Sequence, residues 1–492
     1  MVYIYTNEYK SDIIDALSSV EGLLASVQVQ PLSTIDDRFS HIVIDNGVIQ
    51  TALSWSNEEP PILFTDLKFQ ADDLTCILLC KLGYEEEALG FTKNEVLIEE
   101  IKCSLQLKNL ENQLALQLQG DDYISLHNRA IINHYAGHFH NGMHPEALYS
   151  QAIAKAPSDE HKAFTAKHLA VLLMDQGDYF QAEKILKHYE ALAFSEQAKY
   201  HLALDLIQIQ LGSISPDLDK ARLDEIKKLI WDTLQYFEQK EIPWAVASLY
   251  TQASEITNFE KSYAESLGYI TKALTIYQDQ HYPEFLASAY MQKGTLLYTW
   301  AQDGNPQFYQ SAVDTYQEAL KIFTRETYPH AYAEVHHNLA VIYAEMPTDE
   351  KKKAMWAAFS ATSFKECLTY YDKTVYPYEY AMVANNYGNA LLKYPPAKTG
   401  DNIEKAVSYH LEALDIRTAA EYPIERAHSI LNYLEACWRA QNINKSMERA
   451  RYKDMIAKAK EVKSLTDQED LIDQAKEHLD QLNGLAISIL KD

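Results

Sequence analysis

Five prolines in the second half of the chain, Pro243, Pro283, Pro329, Pro377 and Pro423, each stand four residues before an alanine and nine before a side-chain amide. The sets are Ala247/Gln252, Ala287/Gln292, Ala333/Asn338, Ala381/Asn386 and Ala427/Asn432. Successive prolines are 40, 46, 48 and 46 residues apart. A motif recurring at a roughly constant spacing of this size marks a stacked array, in which each unit buries its apolar face only against its neighbours. A chain of 492 residues built this way is one elongated body rather than several independent globules.

Proline is tolerated at the first position of a helix, where the amide it lacks would be unpaired anyway. The Tyr-Pro pairs at 282–283, 328–329, 376–377 and 422–423 therefore predict the starts of a helix, here called helix A. Eleven residues past each proline stand Ser254, Gly294, Ala340, Gly388 and Leu434, four of them small enough for a second helix to approach closely. Ten residues before the last four prolines, Ala273, Ala319, Cys367 and Ala413 lie in segments such as YQEALKIF and HLEALDIR, whose apolar spacing predicts an amphipathic helix B. Ala312 precedes Ala319, and Ala406 precedes Ala413, by two helical turns, so each pair shares a stripe. The unit is a hairpin of helices A and B crossing over small residues.

NLAVIY (338–343), NNYGNALL (385–392) and KHLAVLLMDQGDYFQAEKIL (167–186), the last with its Gly177-Asp178-Tyr179 turn and Ala182, resemble the tetratricopeptide-repeat family. KLGYEEEAL (81–89) and NGMHPEALYSQAI (141–153) resemble its turn-plus-helix-B pieces. The likeness covers roughly residues 70–440 and departs from the family in length, since the family unit is about 34 residues and the units of the second half run to about 46. Lys293, where an apolar residue is expected, is a second departure. The resemblance implies an all-α fold, a right-handed α-α superhelical solenoid of helix hairpins. In the family the helix-A amides line a concave groove and bond the main chain of an extended peptide. Carried over residue by residue, that role falls to Asn338, Asn386 and Asn432, with Gln292 and Gln252 next upstream, then His201, His168 and Asn128.

Positions three, four and seven residues apart share a helical face, so Asn389, Lys393 and Arg439 join the same stripe. A carboxamide both donates and accepts, which matches the N–H and C=O of an extended backbone without reading its side chains. The competing reading has these amides capping loops or tying adjacent helices together.

The ends differ from the middle. Residues 1–65, with the alternations VYIYT, SVQVQ and HIVIDNGVIQ, allow a small α/β or cap segment. Residues 66–240 read as repeats of near-standard length, 241–441 as extended repeats, and 442–492, dense in charge, as polar helices capping the array.

Composition narrows the partners. A net charge of −26 opposes nucleic acid and anionic membrane surfaces. Five scattered cysteines make no disulfide framework and fit a reducing compartment, so a cytoplasmic location is expected. The start MVYIYTNEYK does not read as a signal peptide, and no apolar run is long enough to span a bilayer. His127, His134, His138, His140 and His144 form the densest titratable cluster, but neither an H-E-x-x-H arrangement nor paired cysteines accompany them, and no metal is expected. Cys76 and Cys80 share a face of an apolar helix and read as core, and His336 and His337 as solvated imidazoles. No phosphate-binding glycine loop or nucleophile elbow occurs, so neither a cofactor nor catalysis is expected.

These readings converge on a non-catalytic scaffold holding a protein or peptide in its helix-A groove. Two alternatives stay open: a peptide-responsive sensor whose superhelix changes pitch, and an enzyme whose chemistry lies in the N-terminal segment. The 34 tyrosines and the exposed ends of an array also permit self-association.

Overall fold

The computed structural model describes residues 1–36, 41–55, 59–109, 119–137, 144–192, 195–214, 220–396, 401–441 and 443–490. They contain 21 α-helices and five strands, and the chain divides into two units, Met1–Ile256 and Thr257–Asp492. None of the described helices is long and apolar enough to cross a membrane.

In the first unit the alternating N-terminal segments form a sheet. Its strands are β1 (Val2–Thr6), β2 (Val27–Gln30), β3 (His41–Asp45), β4 (Val48–Thr51) and β5 (Leu67–Lys68), in the order β2-β1-β3-β4-β5. β1 runs parallel to β2 and β3, with Ile4 opposite Val29 and Ile42; β4 runs antiparallel to both β3 and β5. Parallel neighbours need a crossover, and the Lys10–Ser18 helix lies on the one from β1 to β2. Ile4, Ile42 and Ile44 pack with Ile13 and Leu17 of that helix, and with Ile77 of Ala71–Lys81 and Leu97 and Ile101 of Glu95–Lys108. The expected α/β segment is therefore a sheet whose core continues through residue 101. KLGYEEEAL, expected as a turn and helix B, makes a turn and only the short Glu85–Ala88 helix, and Ala88 joins the sheet's core. Cys76 and Cys80 are buried in the same core.

Hairpins follow. The helices Tyr123–Tyr135 and Pro145–Lys155 pair, as do Asp159–Asp175 and Tyr179–Glu190, and then Glu196–Gly212 and Lys220–Gln239. Asp122, Ser158, Asp178 and Ser195 accept first-turn amides at four of the helix starts. Ile131, Leu148, Phe164, Leu186 and Leu202 form the core between them.

In the second unit, Pro283, Pro329, Pro377 and Pro423 open helices in the position expected of them. Helix A/helix B pairs are Pro283–Gln302 with Phe308–Leu320, Pro329–Glu345 with Glu350–Tyr370, and Pro377–Leu391 with Asn402–Ile416. The close crossings occur where small residues stand: a Cβ on Gly294 would lie 2.7 Å from the Tyr316 ring, and one on Gly388 would lie 2.6 Å from the His410 ring. Ala312, Ala319, Ala406 and Ala413 are completely buried on the facing stripes. Beyond Pro423–Arg439, the helices Lys445–Glu461 and Glu469–Leu490 add Tyr452, Met455, Leu471 and Leu482 to the last core and turn their many charges outward. All five cysteines are free and buried.

Candidate peptide-binding stripe on helix A

The amide positions fall on the face by which successive A helices meet in parallel. In the second unit, Pro329–Glu345 packs beside Pro377–Leu391, which packs beside Pro423–Arg439. Asn386 Nδ2 donates to His337 Nε2 at 2.9 Å, and Asn432 Nδ2 donates to Asn385 Oδ1 at 3.3 Å. Each of these amides thus reaches the residue just before the equivalent amide of the preceding helix. Two turns further along, Lys393 pairs with Glu345 at 2.8 Å, and Arg439 reaches the Leu392 carbonyl at 3.4 Å. Glu345 also accepts from the Tyr298 hydroxyl at 2.6 Å. Burial raises the Glu345 carboxyl, but the bonds from Lys393 and Tyr298 outweigh it and hold the group below its ordinary range.

His337 corrects one expectation. It is buried rather than solvated, and burial pushes its imidazole down to about 4, so it is neutral and accepts from Asn386. His336 is half-buried, 3.4 Å from the Ser363 hydroxyl. Four predicted residues thus take part in ties between helices: Asn386, Asn432, Lys393 and Arg439. Asn338 and Asn389 are half-buried and make no side-chain hydrogen bond among the described residues. Gln292 is half-buried and has a partner within the chain.

The first unit shows what the stripe can hold. The stretch 59–66, which has neither helix nor strand, lies against the Tyr123–Tyr135 helix, and Asn128 Oδ1 accepts the Leu63 N–H at 2.9 Å while Asn128 Nδ2 donates to the Leu63 C=O at 2.8 Å. One carboxamide therefore satisfies both polar groups of one extended residue. His127 Nε2 bonds the Pro61 carbonyl at 3.0 Å, and Glu100 accepts from both the Thr65 N–H and hydroxyl, at 3.1 and 2.6 Å. Lys167 donates to the Trp55 carbonyl at 3.3 Å, and the Trp55 indole stands edge-on to Phe164 at 5.2 Å. Burial pushes His127 down to about 4, which leaves it neutral with Nε2–H facing the carbonyl; burial pushes the Glu100 carboxyl up to about 7, only partly offset by Thr65. The bonds to this strap from Asn128, His127, Lys167 and Glu100 go to main chain or to the Thr65 hydroxyl, Lys81 pairs with the Glu59 carboxylate at 3.1 Å, and Trp55, Ile62 and Leu63 are buried.

No family model matches the sequence, and no curated protein matches it. Solved structures do. A Signal Transduction ATPase with Numerous Domains protein with a tetratricopeptide repeat sensor, from Pyrococcus horikoshii, is similar over 83% of this chain and 55% of its own, with TM-score 0.51 at 15% identity. The chain has a tetratricopeptide-repeat fold. It spans about half the length of that ATPase. A Rap protein complexed with competence and sporulation factor is similar over 82% of this chain and 98% of its own, with TM-score 0.47 at 12% identity.

Within this repeat fold the remaining sequence candidates are placed as follows. His168 and His201 are buried, His168 Nδ1 lying 3.0 Å from the Tyr135 hydroxyl and His201 edge-on to Phe237. Gln252 is 7% exposed, with its Oε1 unpartnered. His134 lies between the Tyr149 hydroxyl and Asp175. His138 and His140 fall outside the described residues, and among those described no group of three metal-ligating side chains occurs. Sequence reasoning missed Glu100, His127 and Lys167 as strap-holding residues. The signal available was the Pro60-Pro61 pair in a stretch without helical period, but nothing in the order of residues says which helices such a segment crosses.

Proposed function

We propose that the chain is a non-catalytic interaction scaffold whose helix-A stripe holds an extended segment of a protein or peptide partner by its main chain. One observation carries this reading: Asn128, aligned with Asn338, Asn386 and Asn432, already grips the N–H and C=O of Leu63 in the same chain. Asn338 and Asn389 in the second unit present the same chemistry without an internal partner among the described residues. Each backbone bond contributes about 1 kcal/mol net and the peptide must be ordered, so a Kd near the micromolar range is expected, with apolar neighbours supplying the remainder. Free, buried cysteines agree with a cytoplasmic setting.

The test is affinity capture from the source cell's extract with the native chain and with an Asn338→Ala/Asn389→Ala variant, followed by titration of the captured partner. Because neither amide makes a side-chain hydrogen bond among the described residues, the variant should melt as the parent does yet bind at least about tenfold more weakly. Equal affinities would remove the second-unit stripe from the account.

A further inference from the structure

The strap covers only part of the first unit's stripe. It ends where Lys167 meets the Trp55 carbonyl, and Lys167 is also 3.8 Å from Asp205 Oδ2, an ion pair too long for a hydrogen bond. Beyond that point the stripe continues onto the Glu196–Gly212 and Pro243–Phe259 helices, and here buried polar atoms lack hydrogen-bond partners. They are His168 Nε2, Asp205 Oδ2, Trp244 Nε1 and Gln252 Oε1. The four residues are 6%, 7%, 6% and 7% exposed, so none is hydrated as a surface group would be. Under the strap the equivalent atoms of His127 and Asn128 are all bonded. A buried polar group without a hydrogen-bond partner is costly, and such atoms gather in this stretch.

Of these four residues Gln252 lines a cavity of about 390 Å³, together with Asp175, Gln208 and Glu255 and with Met174, Tyr179, Leu211 and Gly212 as its remaining wall. Its charged lining residues are both acidic. Asp175 is already in contact with His134, at 3.3 Å. Glu255 has neither a hydrogen bond nor an ion pair among the described residues, and burial alone holds its carboxyl above the ordinary range.

We propose that this part of the stripe is a second binding site, which takes an extended peptide segment carrying a lysine or arginine. Its backbone would continue the line of the strap and pair Gln252, while the basic side chain enters the Asp175/Glu255 cavity. The chemistry dictates the class: Gln252 Oε1, in the cavity wall, is an acceptor that needs an N–H group, and Asp175 and Glu255 supply negative charge. A peptide main chain offers such an N–H group at every residue except proline. This rests on the reading of the helix-A face as a holder of backbone, and adds a place and a charge preference to it.

The experiment is selection of displayed random peptides of about 12 residues, which reach roughly 40 Å when extended, on the full chain. The enriched peptide is then titrated by fluorescence anisotropy against the parent, Glu255→Gln, Gln252→Ala and Asn338→Ala/Asn389→Ala chains, each checked for an unchanged melting curve. The expected result is a consensus with one fixed Lys or Arg. Affinity should fall about tenfold or more in Glu255→Gln, or when that residue becomes norleucine, and hold in the Asn338/Asn389 variant. A consensus without a basic residue, affinity indifferent to both first-unit variants, or no enrichment at all overturns the proposal. Peptides lost only in the Asn338/Asn389 variant would overturn this site while leaving the second-unit reading intact.

Discussion

Asn128 and Asn338 occupy the same place in the repeat, one bonded to an extended backbone and the other not, so truncating each to alanine should have unequal effects. Asn128→Ala removes two hydrogen bonds to Leu63, at 2.9 and 2.8 Å, in a site where Asn128 is 1% and Leu63 is 7% exposed. Two bonds at about 1 kcal/mol each, plus about 1–3 kcal/mol for the stranded backbone groups less whatever water enters, give a loss of about 3 kcal/mol at the strap. Asn338→Ala removes no side-chain hydrogen bond among the described residues and should stay within about 0.5 kcal/mol of the parent. The assay is native-state hydrogen exchange at the Leu63 amide. A loss of about 3 kcal/mol corresponds to exchange faster by roughly a hundredfold in Asn128→Ala, while amides of the Asp159–Asp175 helix change far less. Asn128→Asp keeps an acceptor for the Leu63 N–H but loses the donor, and should fall between. If Leu63 exchange is unchanged in Asn128→Ala, or if Asn338→Ala is equally costly, the argument that this position acts by holding extended backbone fails.

Other expectations follow from single contacts. Because burial pushes the folded Glu100 carboxyl up to about 7, above the ordinary 4.5, the folded state binds the extra proton between those values, and this group's contribution therefore falls, by an amount on the order of a few kcal/mol, as pH rises through that window. Urea unfolding from pH 4.5 to 8 should show that slope in the parent and lose it in Glu100→Gln. Gly388→Ala, with a Cβ 2.6 Å from the His410 ring, should cost about 1–3 kcal/mol by calorimetry, whereas Gly268→Ala, with nothing near its Cβ inside a helix, should gain about 0.5–1 kcal/mol. A double-mutant cycle on Asn386 and His337 should return a coupling of about 1 kcal/mol, and zero coupling would dismiss the 2.9 Å bond as a tie between A helices.

Local chemistry made the array readable from sequence. A proline at the first helical position, a glycine at the crossing and alanines two turns apart each have one steric reason to recur, and Pro283, Gly294, Ala312 and Ala319 all stand where that reason puts them. The sheet was only half readable, because the alternation in VYIYT and HIVID marks strands without saying that Ile77, Leu97 and Ile101 would close over them. The stripe was readable as a face but not as a set of bonds. Asn386 and Asn338 have the same period and residue type, yet Asn386 bonds His337 while Asn338 has no side-chain hydrogen bond among the described residues, a difference set by a neighbour about 50 residues away in sequence. His337 was misread for the same cause: its burial comes from Phe364 and from the next A helix, not from its own segment.

The most direct measurement of the central claim is site-specific photo-cross-linking from the helix-A face. A benzophenone side chain placed at residue 338 or 389, and at the exposed helix-B residue Lys365 as control, would be irradiated with a bound partner and the joined peptides mapped by mass spectrometry. The account predicts that 338 and 389 capture neighbouring positions of one contiguous partner segment and that 365 captures none of it. Cross-links from 365 alone, or from 338 and 389 to unrelated parts of the partner's surface, would contradict a stripe that holds an extended backbone.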